Sequence, residues 1–358
     1  IFQSGHHILK TNIMEVLHRI DSEITNRCNA GCPLCPRTGT IGPGVSEIVH
    51  KTGYRDVEID VVKNILDSKT AQNLKHWSYC GNYGDPFMHP KVYEITDLVS
   101  SYGITQRFDT NGGMRKEEFW TELGKIPGVA INFAVDGLKD TNPMYRMKTD
   151  FDVIMRNAEA FIKSGGHADW IYIVFAHNEH QIEEASELSK KIGFKSFMTK
   201  ISSRGFNVSD DMSKEYNVKF NKKEKQGKIS IPKDKKYQPS ALKDGHISTP
   251  VRCKAILKEQ FYLTPDNMLL PCCHVHAEVA KKTYGVEKKE DEFFRFLIDS
   301  KVKFDLDKYD FDTAVESYRL NLPILKKYWE ERTIKICNRI CGSNRANKTI
   351  EYKNEIQN

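Results

Sequence analysis

Glu23-Ile24-Thr25-Asn26-Arg27-Cys28-Asn29-Ala30-Gly31-Cys32-Pro33-Leu34-Cys35 places three cysteines in the spacing C-x3-C-x2-C. The cysteines directly follow a strand-like run over 18–24. Three thiolates on one tight loop can hold three irons of a cubane and leave the fourth iron without a protein ligand. A small molecule can then bind that iron through its own nitrogen and oxygen. A structural zinc site takes four protein ligands instead, and His50 or His76 would have to supply the fourth.

Outward from this loop, strand-like and helix-like segments alternate as far as residue 201. Segment 57–66 is helix-like, and 76–80 is a short strand ending at Gly81. An amphipathic helix covers 91–101, with Val92, Ile95, Leu98 and Val99 on one face. Strands over 104–108, 129–135, 170–175 and 194–201 alternate with helices over 116–123 and 151–162. Asn178 and Gln181 form a capping-box pattern opening a further helix through Ile192. Repeated βα units predict a parallel sheet with right-handed crossovers, here an open barrel of six units. Chemistry in such folds gathers at the C-terminal ends of the strands.

Those ends carry polar, glycine-rich turns. Gly81-Asn82-Tyr83-Gly84-Asp85-Pro86 follows the second strand and Asp109-Thr110-Asn111-Gly112-Gly113 the third. Asp136-Gly137 follows the fourth, with Met144-Tyr145-Arg146 just beyond. Each is an ordinary turn taken singly; their order, one at each strand end, is harder to explain. With the cysteine loop they resemble the radical S-adenosylmethionine (SAM) enzymes over 19–205. The resemblance implies an α/β fold with a partial (βα)6 TIM-like barrel and a [4Fe–4S] cluster on Cys28, Cys32 and Cys35 that binds SAM. It implies an oxidoreductase that reductively cleaves SAM to a 5′-deoxyadenosyl radical and abstracts hydrogen from carbon. An external reductant such as flavodoxin or ferredoxin would feed it. By the same resemblance Gly84 lets the backbone approach the SAM amino group, and Asp85 stands where the family usually has glutamate. Thr110 and Asn111 match its Thr-Asn-Gly, Asp136 a polar residue near the ribose or carboxylate, and Arg146 an arginine that pairs with the SAM carboxylate. Leu34 departs from the aromatic residue often found before the third cysteine, but still offers an apolar side chain.

Of nine cysteines, five lie beyond residue 250: Cys253, Cys272, Cys273, Cys337 and Cys341. Phe261-Tyr262-Leu263 and Met268-Leu269-Leu270 flank Thr264-Pro265-Asp266-Asn267, a hairpin signal, and 291–329 reads as helical with a break at Pro323. Cys253 and Cys272 bracket the hairpin, and Cys337-x3-Cys341 would close a four-ligand site. This resembles the twitch or SPASM auxiliary-cluster domains, with Pro271-Cys272 matching their Pro-Cys. It implies one auxiliary [4Fe–4S] cluster on Cys253, Cys272, Cys337 and Cys341. Cys272 is preferred to Cys273 because neighbours on a strand point to opposite faces. Zinc on four of these cysteines is the alternative, with His274 and His276 as further donors. Cys80 is either a core cysteine or a thiol that returns a hydrogen atom to a substrate radical. His177 either contacts substrate or belongs to the loop before a helix.

The chain of 358 residues thus divides into an extension (1–18, with Phe2-Gln3-Ser4-Gly5 read as a tag remnant), a barrel (19–205) and a polar lysine-rich connection (206–250). A small α+β cysteine-rich auxiliary-cluster domain (251–345) and a tail (346–358) follow. The charged fraction of 28% and hydrophobic fraction of 39% are those of a globular protein. The net charge of +6 is mild and falls largely within 219–243, without a basic, aromatic-interleaved face, which disfavours nucleic acid. No apolar run is long enough for a membrane span, and the first residues lack signal-peptide character, so a cytoplasmic location is expected. The expected substrate is a peptide or protein side chain or a small polar metabolite. The rival function is an iron–sulfur electron carrier or metal-stabilised binding module without SAM chemistry.

Overall fold

A computed structural model describes residues 17–35, 37, 53–80, 82–202, 215–221, 224–238, 253, 260–276, 303–331, 337, 341 and 352–355. Six strands run parallel and in chain order: β1 (Arg19–Ser22), β2 (His76–Tyr79), β3 (Thr105–Thr110), β4 (Val129–Ala134), β5 (His167–Val174) and β6 (Ser196–Ile201). Between them lie α1 (Ile59–Leu66), α2 (Val92–Ser101), α3 (Glu117–Gly124), the short α4 (Asn142–Tyr145), α5 (Phe151–Lys163) and α6 (Ile182–Ile192). Local chemistry sets the helix ends. The Asp150 carboxylate accepts from the Asp152 and Val153 amides at the start of α5, and Gly193 takes the left-handed conformation that ends α6.

One face of the sheet is an apolar wall against the helices. Trp77, Tyr79, Phe108, Phe133 and Trp170 are buried there. Tyr79 and Phe108 stack at 4.0 Å, and Trp120 of α3 packs between Phe87 and Phe133. The opposite face is polar, and its side chains satisfy one another across strands. Asn132 donates to Asp109 at 2.6 Å, Arg107 to both Asn132 and Asp169, and Ser196 to Asp169. Asn132 and Asp169, the buried members of this face, are paired as buried polar groups must be.

The sheet does not close on itself; both of its edges are extended. On one side β9 (Gln260–Leu263) lies parallel to β1 and is followed by antiparallel β10 (Leu269–Leu270). The expected hairpin is present, with its turn held by Thr264 N–H to the Met268 carbonyl, and it belongs to the same sheet as the barrel strands. On the other side β11 (Tyr352–Glu355), in the segment expected to be a tail, pairs antiparallel with β6.

The connection over 206–250, expected to hold at most short elements, contains two seven-residue strands, β7 (Glu215–Asn221) and β8 (Glu224–Ser230), paired antiparallel. Three expectations need correction. Within 291–329, residues 303–310 are not helical; Asp305 bridges Met268 beside β10. The helix proper, α7 (Phe311–Glu330), runs through Pro323 without a break. Its buried Tyr318, Leu322 and Leu325 hold it to the core, while Pro323 sits on the exposed side, where the freed carbonyl can face water. Lastly, Asn178 and Gln181 do not form a capping box. Asn178 donates to the Asp136 and Ile173 carbonyls, and Gln181 accepts from Thr141 and the Leu138 amide, so both brace the loop after β4 instead.

Candidate functional site

The C-x3-C-x2-C loop leaves the end of β1 and is pinned on three sides. The Gly31 amide donates to the Met147 carbonyl at 2.8 Å, and Asn29 donates to the Gly113 carbonyl. From the β3 loop, Asn111 Nδ2 reaches Asn29 Oδ1 at 2.8 Å and Cys28 Sγ at 4.0 Å. From the β4 loop, Arg146 Nη1 reaches Cys32 Sγ at 3.9 Å, and Cys35 Sγ points at the Asn82 carbonyl at 3.9 Å. Loops from three successive strands thus bear on three different sulfurs.

Behind them, Asp85 is a junction. Its carboxylate accepts from Thr110 Oγ1, the Asn111 amide, Asn111 Nδ2 and the Phe87 amide at 2.8–3.2 Å. Burial nonetheless pushes its carboxyl up to about 6, against those hydrogen bonds. The Gly84 backbone lies so close to the segment between β1 and the cysteine loop that a Cβ there would stand 1.9 Å from the Thr25 carbonyl oxygen. Arg146 pairs with buried Asp136 at 2.6 Å, and the other Asp136 oxygen accepts from the Ile173 amide. Burial raises the Asp136 carboxyl, and Arg146 opposes that rise.

The thiols of Cys28 and Cys32 are pushed up to about 12 and about 11, first by burial; Asp85 and Cys32 add to the first, and Cys35 to the second. Thiols so placed keep their protons until a metal compensates the charge. Around them Leu34, Tyr145, Phe175, Ile229 and Ile231 form a separate apolar cluster. Among the described residues, no three His, Cys, Asp or Glu side chains converge as ligands of one ion do. The zinc alternative on this loop also loses His76: its strand position pairs with Arg19 at the start of β1, at the opposite end from the cysteines. His50 lies outside the described residues. Three sulfurs on one loop, each taking its own iron, do not require convergence on a point, so the donor set fits a cluster.

Cys253, Cys272 and Cys337 are electrostatic neighbours around buried Tyr318. Cys341 is helical and half-buried. Cys273 is an electrostatic neighbour of both Cys272 and Cys80. Cys272 and Cys273 do not lie on a strand as expected: β10 ends at Leu270, and Cys273 opens a helical turn.

Glu23 was not anticipated as a site residue. Buried at the end of β1, its Oε1 accepts from the Tyr83 and Gly84 amides. Oε2 accepts from Tyr262 Oη at 2.9 Å and lies 3.4 Å from His276 Nδ1. His276 is thereby a neighbour of this carboxylate. The alternation of Asp21 and Glu23 along β1 was the available signal. His177 is held against Phe175, both ring nitrogens buried without a partner in the structure, and burial lowers it to about 4.

Comparison with known proteins fits this arrangement. The radical SAM superfamily profile matches residues 22–189. Mycofactocin maturase MftC of Mycobacterium tuberculosis is 24% identical over 195 residues, 53% of this chain and 46% of its own. A tungsten-containing aldehyde ferredoxin oxidoreductase cofactor-modifying protein of Pyrococcus furiosus is 27% identical over 116 residues, covering 32% of this chain and 30% of its own. The chain thus spans under half the length of the curated relatives it matches. In fold it is similar to Streptococcus suis SuiB bound to precursor peptide SuiA, with TM-score 0.52 and 14% identity, over 86% of this chain and 68% of that one.

Proposed function

We propose that this chain is a radical SAM enzyme that uses SAM and a [4Fe–4S] cluster, a reading supported by the match of residues 22–189 to that superfamily's profile. Cys28, Cys32 and Cys35 hold the cluster. That cofactor pair supplies, when bound, reductive cleavage of SAM to a 5′-deoxyadenosyl radical able to take hydrogen from a carbon. The chain's own residues position and enclose. Gly84 permits backbone approach beside the cysteine loop. Asp85 fixes the Thr110–Asn111 turn to the β2 loop, so its effect on SAM is through that turn. Arg146, anchored by Asp136, offers a cation for the SAM carboxylate, and Asn111 a donor beside Cys28. Leu34, Tyr145, Phe175, Ile229 and Ile231 exclude water from the sulfurs.

Cys253, Cys272, Cys337 and Cys341 hold an auxiliary [4Fe–4S] cluster in a twitch-like region continuous with the sheet edge. The clustering of Cys253, Cys272 and Cys337 around Tyr318 supports it. The substrate class is a peptide or protein side chain, or a small polar metabolite. Relatives named maturases and the SuiB complex with a precursor peptide favour the peptide. A flavodoxin or ferredoxin supplies the electron.

The observation that carries this reading is that loops from β2, β3 and β4 each touch a different cysteine sulfur. The test is 5′-deoxyadenosine release from SAM with dithionite after anaerobic iron loading, alongside iron content. Deoxyadenosine with about eight irons per chain, by the two-cubane cysteine count, is expected. Cys28→Ala should abolish deoxyadenosine and retain the auxiliary iron; unchanged turnover in that variant would overturn the cofactor assignment.

A further inference from the structure

Glu23 turns one buried side chain toward two distant parts of the chain at once. Its Oε1 accepts from the amides of Tyr83 and Gly84, the latter at 2.7 Å. Its Oε2 accepts from Tyr262 Oη at 2.9 Å and lies 3.4 Å from His276 Nδ1. The first two partners belong to the β2 loop; the second two come from β9 and from the helical turn after Cys272. Asn82 closes the arrangement by donating through Nδ2 to Tyr262 Oη at 3.2 Å, and the Tyr83 ring meets the His276 ring edge-on at 5.3 Å.

In a planar trans peptide the carbonyl of one residue points opposite to the amide of the next. With the Tyr83 and Gly84 amides drawn to Glu23, the Asn82 and Tyr83 carbonyls are turned the other way. That way lies the cysteine loop: the Asn82 oxygen is 3.9 Å from Cys35 Sγ, and the Tyr83 oxygen accepts from Arg37 Nη1 at 3.1 Å. The next amide, that of Asp85, donates to the Arg27 carbonyl at 2.7 Å and fixes the far end of the turn. We propose that Glu23 is a positioning residue for SAM binding. From behind the turn it aims the Asn82 and Tyr83 carbonyls toward the cysteine loop, where the SAM amino group needs acceptors, and Tyr262 and His276 hold its side chain in place. This role rests on the reading of Cys28, Cys32 and Cys35 as the holders of a SAM-binding cluster. It makes β9, more than two hundred residues away in sequence, part of the framework of the SAM site. A side chain that only filled space could be replaced by an apolar one of its size. One that orients two amides needs an acceptor oxygen, and not a charge.

The test uses the full chain, iron-loaded anaerobically, with SAM as the probe. Equilibrium dialysis gives the SAM dissociation constant, beside iron per chain and the EPR spectrum of the dithionite-reduced protein with and without SAM. Glu23→Leu leaves both amides without their acceptor. It should keep wild-type iron and bind SAM roughly ten- to a hundredfold more weakly. It should also lose the SAM-induced spectral change at a SAM concentration that saturates wild type. Glu23→Gln keeps an acceptor for the amides and can donate from its nitrogen to Tyr262 Oη, so it should restore SAM affinity to within about threefold of wild type. Tyr262→Phe should weaken SAM binding several-fold with iron unchanged, and it carries the test alone if Glu23→Leu does not fold. Wild-type SAM affinity in Glu23→Leu or in Tyr262→Phe would overturn the proposal. So would iron lost in step with SAM binding, which would make Glu23 a prop of the cysteine loop. Glu23→Gln as weak as Glu23→Leu would overturn it too, because charge and not orientation would then matter. A wild type with no SAM-dependent spectral change would instead sink the cofactor reading itself, which separates that failure from this one.

Discussion

Asp85 and His177 are both buried ionisable groups near the site, and burial moves them in opposite directions. Asp85 rises from 3.8 to about 6, so the folded state binds a proton that the unfolded chain releases between those values. Its contribution to stability therefore increases as pH falls through 6. His177 falls from 6.5 to about 4, so the folded state refuses a proton that the unfolded chain takes. Its contribution is lost as pH falls from 6.5 toward 4. Each shift corresponds to about 3 kcal/mol, and the windows overlap, so the two contributions nearly cancel. Asp85→Asn should unmask the His177 slope: urea midpoints of that variant should drop more steeply between pH 6.5 and 4 than those of wild type. Equal slopes would show that the two groups are not buried as described. Gly84→Ala must displace either the β2 loop or the segment that enters the cysteine loop, because its Cβ would overlap the Thr25 carbonyl. Iron bound after reconstitution should fall with it, while Gly103→Ala, in a surface turn with nothing near its Cβ, should keep its iron. At this scale the chemistry-bearing types were legible, since Cys28, Asp85, Asn111 and Arg146 stand in recognisable turns. Their partners were not. Glu23 looks like any polar residue of an alternating strand until its fold-level neighbours, Tyr262 and His276, arrive from more than two hundred residues away.

The helices and strands from 19 to 201 were readable because each buries one face, and a single buried face leaves a period in the sequence. The β7–β8 hairpin was missed although Tyr216, Val218 and Phe220 alternate with Glu215, Asn217 and Lys219; the lysine-rich composition outweighed that alternation. Its continuation matters for the site. The Ser230 carbonyl accepts from the Ala176 amide, Glu179 accepts from the Lys233 and Asp234 amides, and Ile229 and Ile231 complete the apolar wall beside Cys32. Ile231→Asn should admit water to that wall. The rate at which air bleaches the cluster absorbance should rise several-fold, with iron content before exposure unchanged. Bleaching at the wild-type rate would mean the wall does not shield the sulfurs. Pro323 shows the reverse error, a strong local breaker overruled by Tyr318, Leu322 and Leu325 in the core. Pro323→Ala should leave activity alone and raise stability by roughly 1–3 kcal/mol, by restoring one helix hydrogen bond, as read from the thermal midpoint.

The C-terminal hairpin is part of the main sheet, not a separate lobe resting on it. Arg19 to Ser22 pair in register with Gln260 to Leu263, and Phe261 packs edge-on to Tyr318 at 4.9 Å. A chain ending at residue 250 would expose the whole edge of β1, and with it an unpaired template for other strands. Such a truncation should elute from size exclusion as aggregate; a stable monomer would show that the barrel is self-sufficient. Sequence reasoning separated the two regions because nothing local records which strand β9 will join. The same pairing sets an order of events in the cell. The segment that covers β1 is synthesised more than two hundred residues after it, a delay of roughly ten to fifty seconds at ordinary elongation rates. Throughout that interval the cysteine loop is already made, while the flank of its strand is still open.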